Sequence, residues 1–441
     1  MTIVVKVGSQ SLLEKGESST KNSGLAKPDL SFMADLVGQI ACLKEQGHNV
    51  YLISSGAVAA GRGIWHESRQ LVGQTAERQI LAGLGQVELM QIYKQIAAKH
   101  QLHVVQLLLA KSDFISRNHY LNLERLLLSM QDFPELLPVI NENDSVSVDE
   151  LMFTDNDQLA GVLGQQLGAD LLLLLTEASG VYDKDPRQAD ARLFRLLGPK
   201  HGGWPKPEGK SSSGRGGISS KLETAGKMCR AGVVSCIASA RQPQIILRIT
   251  EEVGQLRAAL KEELSPEFTG AQERPEERSE ARPEELADRV ITRWSQEWFA
   301  KPELGTLVLP SSARLVRFLC GSATGPAEGK GKPAVRGIRK WLSARDLAAG
   351  RAGIIVNDGL VEKLQGRKQA VSILPVGIVR FRGEFGKGDL IDIYSEQGAK
   401  IGIGLARYSH LQLAKTISKK NQEIFIHYNY LHINEDETAG G

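Results

Sequence analysis

Strand-like and helix-like segments alternate over residues 1–245 of the chain. Segments such as "TIVVKVG", "VVQLLLA" and "DLLLLLT" are apolar throughout, and helical apolar spacing follows in segments such as "NDQLAGVLGQQLG". Strands that are apolar throughout and alternate with helices indicate a mostly parallel sheet with both faces covered. The pattern predicts an α/β fold, a three-layer αβα sandwich, over residues 1–261.

The sequence changes character twice after this domain. Residues 262–303 begin with a stretch rich in Glu, Arg and Pro, which predicts a flexible or partly helical linker. Short strand-like segments with Gly turns predict a small β-rich domain over residues 304–420, followed by a tail at 421–441. Because every candidate motif precedes the linker, a chain ending near residue 262 is predicted to fold alone.

Composition excludes several functional classes. The net charge is +3, from 54 basic and 51 acidic residues, which gives no overall electrostatic case for nucleic-acid binding. The four cysteines share no metal-ligand spacing and are typical of reduced thiols. The N-terminus runs directly into a strand, and no apolar run reaches the about 18 residues of a membrane span. We therefore predict a cytoplasmic protein with no membrane partner.

Polar residues cluster just past one apolar strand, in "PVINENDSVSVDELMFTDNDQLAG" (residues 138–161). A solvated turn is one interpretation. The other is a polar pocket at the carboxyl edge of a parallel sheet, where ligands bind in open α/β folds.

Three further segments carry small residues or a lysine at predicted strand or helix ends. Lys6 precedes Gly8 in the first strand, "SSGAVAAG" (residues 54–61) follows the second, and "SSSGRGGISSK" (residues 211–221) precedes a helix. Taken singly, these segments fit a snorkelling lysine, an N-cap serine and a floppy loop. Together they predict an anion site built from backbone amides and lysines. The standard P-loop, dinucleotide-binding and protein-kinase motifs are missing from the sequence.

These residues carry a family resemblance. The segments "VVKVGSQSLL", "ISSGAVAAGRG", "PVINENDSV", "DNDQLAG", "LLLLTEASGVYDKDPR" and "GRGGISSKLETAGKMCRAG" resemble, in order and spacing, those of the glutamate 5-kinases of the amino-acid kinase family. The segments from "RKWLSARDLAAGRAGIIVNDG" to "SILPVGIVRFRGEFGKGDLIDI" resemble the PUA domain that follows the kinase in many bacterial members.

The resemblance implies a role for each matching residue. The implied catalytic residues are Lys6, Lys221 and Asp157, where Asp157 organises the two lysines. The implied substrate-binding residues are Ser55, Gly56, Asp144 and Asn156. The implied ATP-binding residues are Lys6, Gly8, Thr176, Glu177, Arg215, Gly216, Gly217, Ile218, Ser219, Ser220 and Lys221.

The resemblance also implies the reaction: ATP-dependent phosphorylation of the γ-carboxylate of L-glutamate, the first step of proline biosynthesis. ATP and Mg²⁺ are the implied cofactors, and no side chain is assigned as a metal ligand. Proline is the implied feedback inhibitor, and a homo-oligomer is expected. Arg215 stands where the family usually has threonine, and we hypothesise that it contacts the nucleotide phosphates; the alternative is that it points to solvent.

Two alternatives remain open. The chain would be an RNA-binding PUA protein with a degenerate kinase domain if the basic stretch at residues 329–351 contacted phosphates. It would otherwise be an amino-acid kinase with a different substrate.

Overall fold

The computed structural model divides the chain into two compact units. The first comprises Met1–Asp113 and Leu123–Thr324, and the second comprises Phe114–Asn122 and Gly325–Gly441. Within them the structure describes residues 1–14, 27–65, 74–115, 117–146, 155–199, 204–205, 217–264, 283–319, 352–365, 371–387, 389–417 and 422–433.

The first unit is built on an eight-stranded sheet. In chain order its strands, with those of a separate two-stranded ribbon (β6 and β7), are β1 (Thr2–Val7), β2 (Asn49–Ile53), β3 (His103–Leu109), β4 (Leu136–Glu142), β5 (Leu171–Thr176), β6 (Val181–Tyr182), β7 (Leu193–Phe194), β8 (Leu196–Leu197), β9 (Val234–Ser239) and β10 (Thr306–Val308). The eight strands of the large sheet lie in the order β3-β4-β2-β1-β5-β9-β10-β8. Among the strands that the structure describes, only the β9–β10 pair is antiparallel, so the sheet is mostly parallel, as predicted.

Helices cover both faces of this sheet. The helices over this part of the chain are α1 (Leu30–Glu45), α2 (Ala57–Ile64), α3 (Gln74–Ala98), α4 (Lys111–Ile115), α5 (Arg117–Ser129), α6 (Asn156–Leu167), α7 (Ile218–Ala231), α8 (Ile245–Glu263), α9 (Pro283–Phe299) and α10 (Ser312–Leu319). Helix α1 packs on β2, α3 and α8, whereas α6 packs on β1, β5 and α7. The predicted αβα sandwich is confirmed.

The alternation of side chains along β1 places Lys6 on one particular face. Ile3, Val5 and Val7 belong to the hydrophobic core that also contains residues of α1 and α8. Because successive side chains of a strand point to opposite faces, Lys6 lies on the other face, beneath α6 and α7. The face that carries this lysine is therefore fixed by the period of the strand.

The first unit continues through the segment predicted as a flexible or partly helical linker and past residue 304, where the β-rich domain was predicted to begin. Helix α9 lies inside the predicted linker, and its Trp294 and Trp298 are buried in the core of the first unit. Strand β10 pairs with β9 and β8 in the large sheet, although it falls within the predicted β-rich domain. The acidic and basic residues of this segment obscured a helical period of apolar residues, Ala287, Val290, Ile291, Trp294 and Trp298.

The second unit contains a five-stranded sheet in the order β12-β11-β13-β14-β15. Its elements are β11 (Gly353–Val356), α11 (Asp358–Gln365), β12 (Ile378–Arg382), β13 (Leu390–Tyr394), β14 (Lys400–Leu405), α12 (His410–Thr416) and β15 (Leu431–Ile433). The β-rich character is as predicted. This unit continues past the predicted end at residue 420: Phe425 and Ile426 are fully buried in its core, and β15 pairs with β14. None of the helices in the described ranges is long and apolar enough to span a membrane.

Candidate active site

The carboxyl ends of four neighbouring strands bring the predicted segments together. In the parallel register Lys6 of β1 lies beside Ile53 of β2, and Ile53 lies beside Ile140 of β4. On the other side of β1, Val7 lies beside Leu175 of β5. The loops that follow β1, β2, β4 and β5 therefore leave the sheet at one edge, which is the usual ligand site of such sheets.

Two lysines share one buried carboxylate at this edge. Lys6 Nζ lies 2.8 Å from Asp157 Oδ1, and Lys221 Nζ donates to Asp157 Oδ2 at 2.9 Å. The Asp157 side chain is fully buried, and 6% of each lysine side chain is exposed. Two ammonium groups and one carboxylate carry a net positive charge, so this triad can bind an anion.

Burial and pairing act in opposite directions on these groups. Burial raises the pKa of Asp157, but the charges of Lys6 and Lys221 outweigh it, and the net pKa is below the ordinary value. Burial lowers the pKa of Lys6, and the Lys221 charge lowers it further, while Asp157 opposes both. Asp157 therefore stays ionised and holds two ammonium groups that would otherwise repel each other.

Two helix starts place the acidic and basic residues of the triad. Asp155 caps α6 by accepting from the backbone N–H groups of Asp157 and Gln158 at 3.0 and 3.1 Å. Gly217 is the N-cap of α7, and the Lys221 N–H donates to its carbonyl at 3.4 Å. Both helices begin at the site, so their positive ends add to the field of the lysines.

A polar cluster adjoins the triad. Asn156 Nδ2 donates to Ser55 Oγ at 3.0 Å, to Asn141 Oδ1 at 2.9 Å and to the Ser54 carbonyl at 3.2 Å. Because these partners accept from Nδ2, the buried Oδ1 of Asn156 is left with no partner among the described residues. It is an acceptor placed one residue before Asp157.

Gly56 and a tight helix contact shape the wall beside this cluster. Gly56 has φ +96° as the N-cap of α2, a conformation that favours glycine. A Cβ on Gly85 of α3 would lie 1.8 Å from the Ala57 carbonyl oxygen, and one on Gly61 of α2 would lie 2.0 Å from that of Leu81. These glycines let α3 pack directly against α2 and so reach the substrate side of the site.

Asp144 lies three residues beyond Asn141 and pairs with a residue of α3. Arg78 Nη2 donates to Asp144 Oδ1 at 2.7 Å, with 30% of the arginine side chain and 13% of the aspartate side chain exposed. Burial raises the pKa of Asp144, and the charge of Arg78 counters that shift in part. Asp144 thus lies at the α3 end of the polar cluster.

The predicted nucleotide residues occupy the ends of β1 and β5 and the first turn of α7. A Cβ on Gly8 would lie 3.9 Å from Lys6 Nζ and 3.8 Å from the Leu175 carbonyl oxygen, so the end of β5 is close to the lysine. Thr176 ends β5, and the Glu177 carboxylate lies 3.8 Å from Arg241 Nε. Gly217, Ile218, Ser219 and Ser220 lead into Lys221 in the first turn of α7. The predictions for Arg215 and Gly216 fall outside the described residues.

Sequence reasoning missed three residues of this arrangement. Asn141 holds Asn156 in place, and Asp155 caps α6 although the "DND" segment was in view. Arg78 is far from every recognised motif in sequence, and only the packing of α3 on α2 brings it to Asp144.

The fold and the site together define a kinase of the amino acid kinase class with a separate β-rich C-terminal module. A model of the amino acid kinase family matches residues 1–238, and a model of the PUA domain matches residues 353–427. The chain therefore belongs to the amino acid kinase family.

Full-length relatives narrow the assignment. A glutamate 5-kinase of Chlorobaculum tepidum is 30% identical over 431 residues, which cover 98% of this chain and 97% of the relative. Those of Bacteroides thetaiotaomicron and Desulfotalea psychrophila are 29% and 30% identical and cover 98% and 96% of this chain. Within the amino acid kinase family, the chain belongs with the glutamate 5-kinases.

Proposed function

We propose that this protein transfers the γ-phosphoryl group of ATP to the γ-carboxylate of L-glutamate, forming glutamyl 5-phosphate for proline biosynthesis. The observation that carries the proposal is the Lys6–Asp157–Lys221 triad next to the Ser55–Asn156 cluster. A cationic group that suits phosphoryl oxygens thus adjoins a cluster of polar side chains. We take glutamate as the substrate because the full-length relatives are glutamate 5-kinases.

The mechanism follows from the charges. A glutamate side-chain carboxylate has a pKa of about 4.3 and is already ionised at neutral pH, so the nucleophile needs no general base. The barrier arises from repulsion between two anions, and phosphoryl transfer is catalysed mainly by positioning and electrostatics. Lys6 and Lys221, held on Asp157, would stabilise the charge that develops on the transferring group.

The site fits ATP with Mg²⁺. The Asp155 carboxyl lies at the start of α6 next to Ser220, and burial and the Asp157 charge raise its pKa, which the Ser220 hydroxyl opposes. A carboxylate oxygen of this kind is a suitable ligand for Mg²⁺, which proteins commonly hold with one or two carboxylates and substrate phosphates. Asp155 would hold the ion, which supplies charge neutralisation on the phosphates when bound.

We assign the nucleotide to the end of β5 and the start of α7, which includes Thr176, Glu177 and Gly217–Lys221. Arg215 precedes this turn, and we propose that it contributes a phosphate contact, because guanidinium groups pair bidentately with phosphate. Arg215→Thr should raise the KM for ATP several-fold without changing the KM for glutamate. An unchanged KM for ATP would leave Arg215 as a surface residue.

Further proposals rest on the family resemblance: inhibition by proline, a homo-oligomer and a cytoplasmic location. RNA binding by the second unit is not favoured. The Lys6–Asp157–Lys221 triad is complete, which favours a kinase over an RNA-binding protein with a degenerate kinase domain. The basic stretch at 329–351 lies outside the described residues.

Hydroxylamine trapping of the acyl phosphate tests the proposed reaction. We expect hydroxamate to form from glutamate only when ATP and Mg²⁺ are both present, and little to form from aspartate or N-acetylglutamate. A preference for either of those acids would favour a different amino-acid kinase. Binding of structured RNA without any turnover would favour the degenerate-kinase alternative.

A further inference from the structure

The Arg78–Asp144 pair lies at one end of a row of polar side chains, which we call the polar track. The triad of Lys6, Asp157 and Lys221 forms the other end of the track. Asn156, the residue before Asp157, donates to Asn141, and Asp144 lies three residues beyond Asn141 in the chain. If the γ-carboxylate of an amino-acid substrate meets the lysines, the α-carbon end of that substrate points along the track toward Asp144.

Helix α3 is tied to this track at two points. Asn141 Nδ2 donates to Gln86 Oε1 at 2.9 Å, and Arg78 donates to Asp144 two helical turns earlier. Gln86 is buried, and its Nε2 has no hydrogen-bond partner among the described residues. The side of α3 that faces the polar track therefore carries the Arg78 guanidinium and the Gln86 amide donor.

The charges of the pair match those of an α-amino acid. The substrate end carries one ammonium and one carboxylate, and the pair presents one carboxylate and one guanidinium. Arginine has five N–H donors, so a single bond to Asp144 leaves the guanidinium able to bind a second carboxylate in its fork geometry. Its side chain is 30% exposed and therefore accessible to an incoming ligand.

The family resemblance already implies that Asp144 binds the substrate, where its carboxylate suits the α-ammonium. We propose that Arg78, its partner in this structure, binds the α-carboxylate, so that the pair selects for an intact α-amino acid. The proposal rests on the proposed glutamate kinase function and adds a residue that no motif marks. The two side chains pair with each other in this structure, and each would meet the opposite charge of a bound α-amino acid.

The alternative to substrate binding is that Arg78 and Asp144 form an ion pair that only links α3 to the residues after β4. Exposed pairs of that kind contribute little to stability. The two possibilities differ in substrate selectivity, because a fastening pair would affect all ligands of the site alike.

Two glutamate analogues separate the roles. 4-Aminobutyrate is glutamate without its α-carboxylate, and glutarate is glutamate without its α-ammonium. Their inhibition constants against glutamate would be measured for the wild-type protein, Arg78→Met and Asp144→Asn. Lys94→Met, a change of an exposed lysine on the same helix, is the control. Thermal midpoints would be compared, and Arg78→Lys tests partial rescue by a point charge.

Arg78→Met should raise the KM for glutamate and the inhibition constant of glutarate by about 10- to 100-fold, as expected for a lost charged hydrogen bond. The inhibition constant of 4-aminobutyrate and the KM for ATP should stay within about twofold. Asp144→Asn should show the reverse preference, with 4-aminobutyrate weakened and glutarate spared. Equal weakening of all three ligands, or no change, would overturn the assignment of Arg78. A wild-type protein that phosphorylates no glutamate would instead refute the proposed function itself.

Discussion

At the scale of single residues, Asp157 sets the charge of the site. It is fully buried and is the shared partner of Lys6 and Lys221. A buried charge is tolerated only when it is paired, and here one carboxylate pairs with two lysines. The arrangement keeps both ammonium groups close together and leaves one positive charge for the transferring phosphoryl group.

Lys6→Ala and Lys221→Ala should each lower kcat by about 100- to 1,000-fold, the usual cost of removing one transition-state charge contact. The KM for glutamate should change much less, because the polar cluster proposed to bind it remains. Steady-state kinetics measure both values. Lys227→Ala is the control, since Lys227 pairs with Glu223 along the same helix. Turnover near the wild-type rate in either variant would remove that lysine from the mechanism.

Asp157→Asn should destabilise the first unit by about 3 kcal/mol at neutral pH, because it leaves two buried lysines without a counter-charge. The folded pKa of Asp157 lies below its unfolded value, so its contribution is present above the unfolded pKa of about 3.9. That contribution is lost as the pH falls through the folded pKa. Urea unfolding of both proteins should therefore give a constant difference from pH 7 down to about pH 4. A difference that shrinks between pH 7 and pH 5 would contradict the depressed pKa.

At the scale of elements, the contact between α2 and α3 positions the substrate side of the site. Helix α2 follows Ser55 and Gly56, and α3 carries Arg78 and Gln86. The helices can pack closely because the contact positions are glycines, where any side chain would hold the helices apart. Any change that separates the two helices should therefore affect glutamate binding before ATP binding.

Gly85→Ala should destabilise the protein by about 1–3 kcal/mol, the usual cost of overpacking, because the new Cβ would meet the Ala57 carbonyl oxygen at 1.8 Å. We expect a lower thermal midpoint and a higher KM for glutamate. Gly83→Ala is the matched control on the same helix. A Cβ there lies 3.8 Å from Ser145 Oγ, and alanine adds helix propensity, so stability should stay equal or rise. Equal effects of the two changes would mean that helix propensity, rather than packing, decides.

At the scale of the whole molecule, the kinase unit extends well beyond its motifs. Helix α9 packs on α8, and β10 covers the edge of β9. Without them, the apolar face of α8 and the edge of a central sheet would be open to solvent, and exposed edges of this kind favour aggregation.

A chain ending after Leu264 is therefore expected to be insoluble or inactive, which reverses the expectation drawn from sequence for an end near residue 262. A chain ending after Thr324, the last residue of the first unit, is expected to be soluble and to retain hydroxamate formation. Solubility, thermal unfolding and turnover of the two truncations are the measurements. An active protein from the shorter chain would show that α9 and β10 are dispensable.

The sequence by itself determined the fold class and the identity of the chemical groups. Apolar strands alternating with helices required a parallel sheet, and the ends of parallel strands had to bring Lys6, Ser55 and Asn156 to one edge. These features are local in sequence, because each depends on the period of one element or on one short motif.

Tertiary structure alone decided the boundary of the kinase unit and the partner of Asp144. Strand β10 pairs with β9 and β8, and its three residues are too few to show a strand pattern in the sequence. The charged residues around α9 hid the apolar pattern that its buried tryptophans belong to. Arg78 meets Asp144 across 66 positions of the chain because glycines on α2 and α3 let their backbones touch. Contacts between distant segments depend on how whole helices and strands pack. The residue pattern of one segment does not determine that packing.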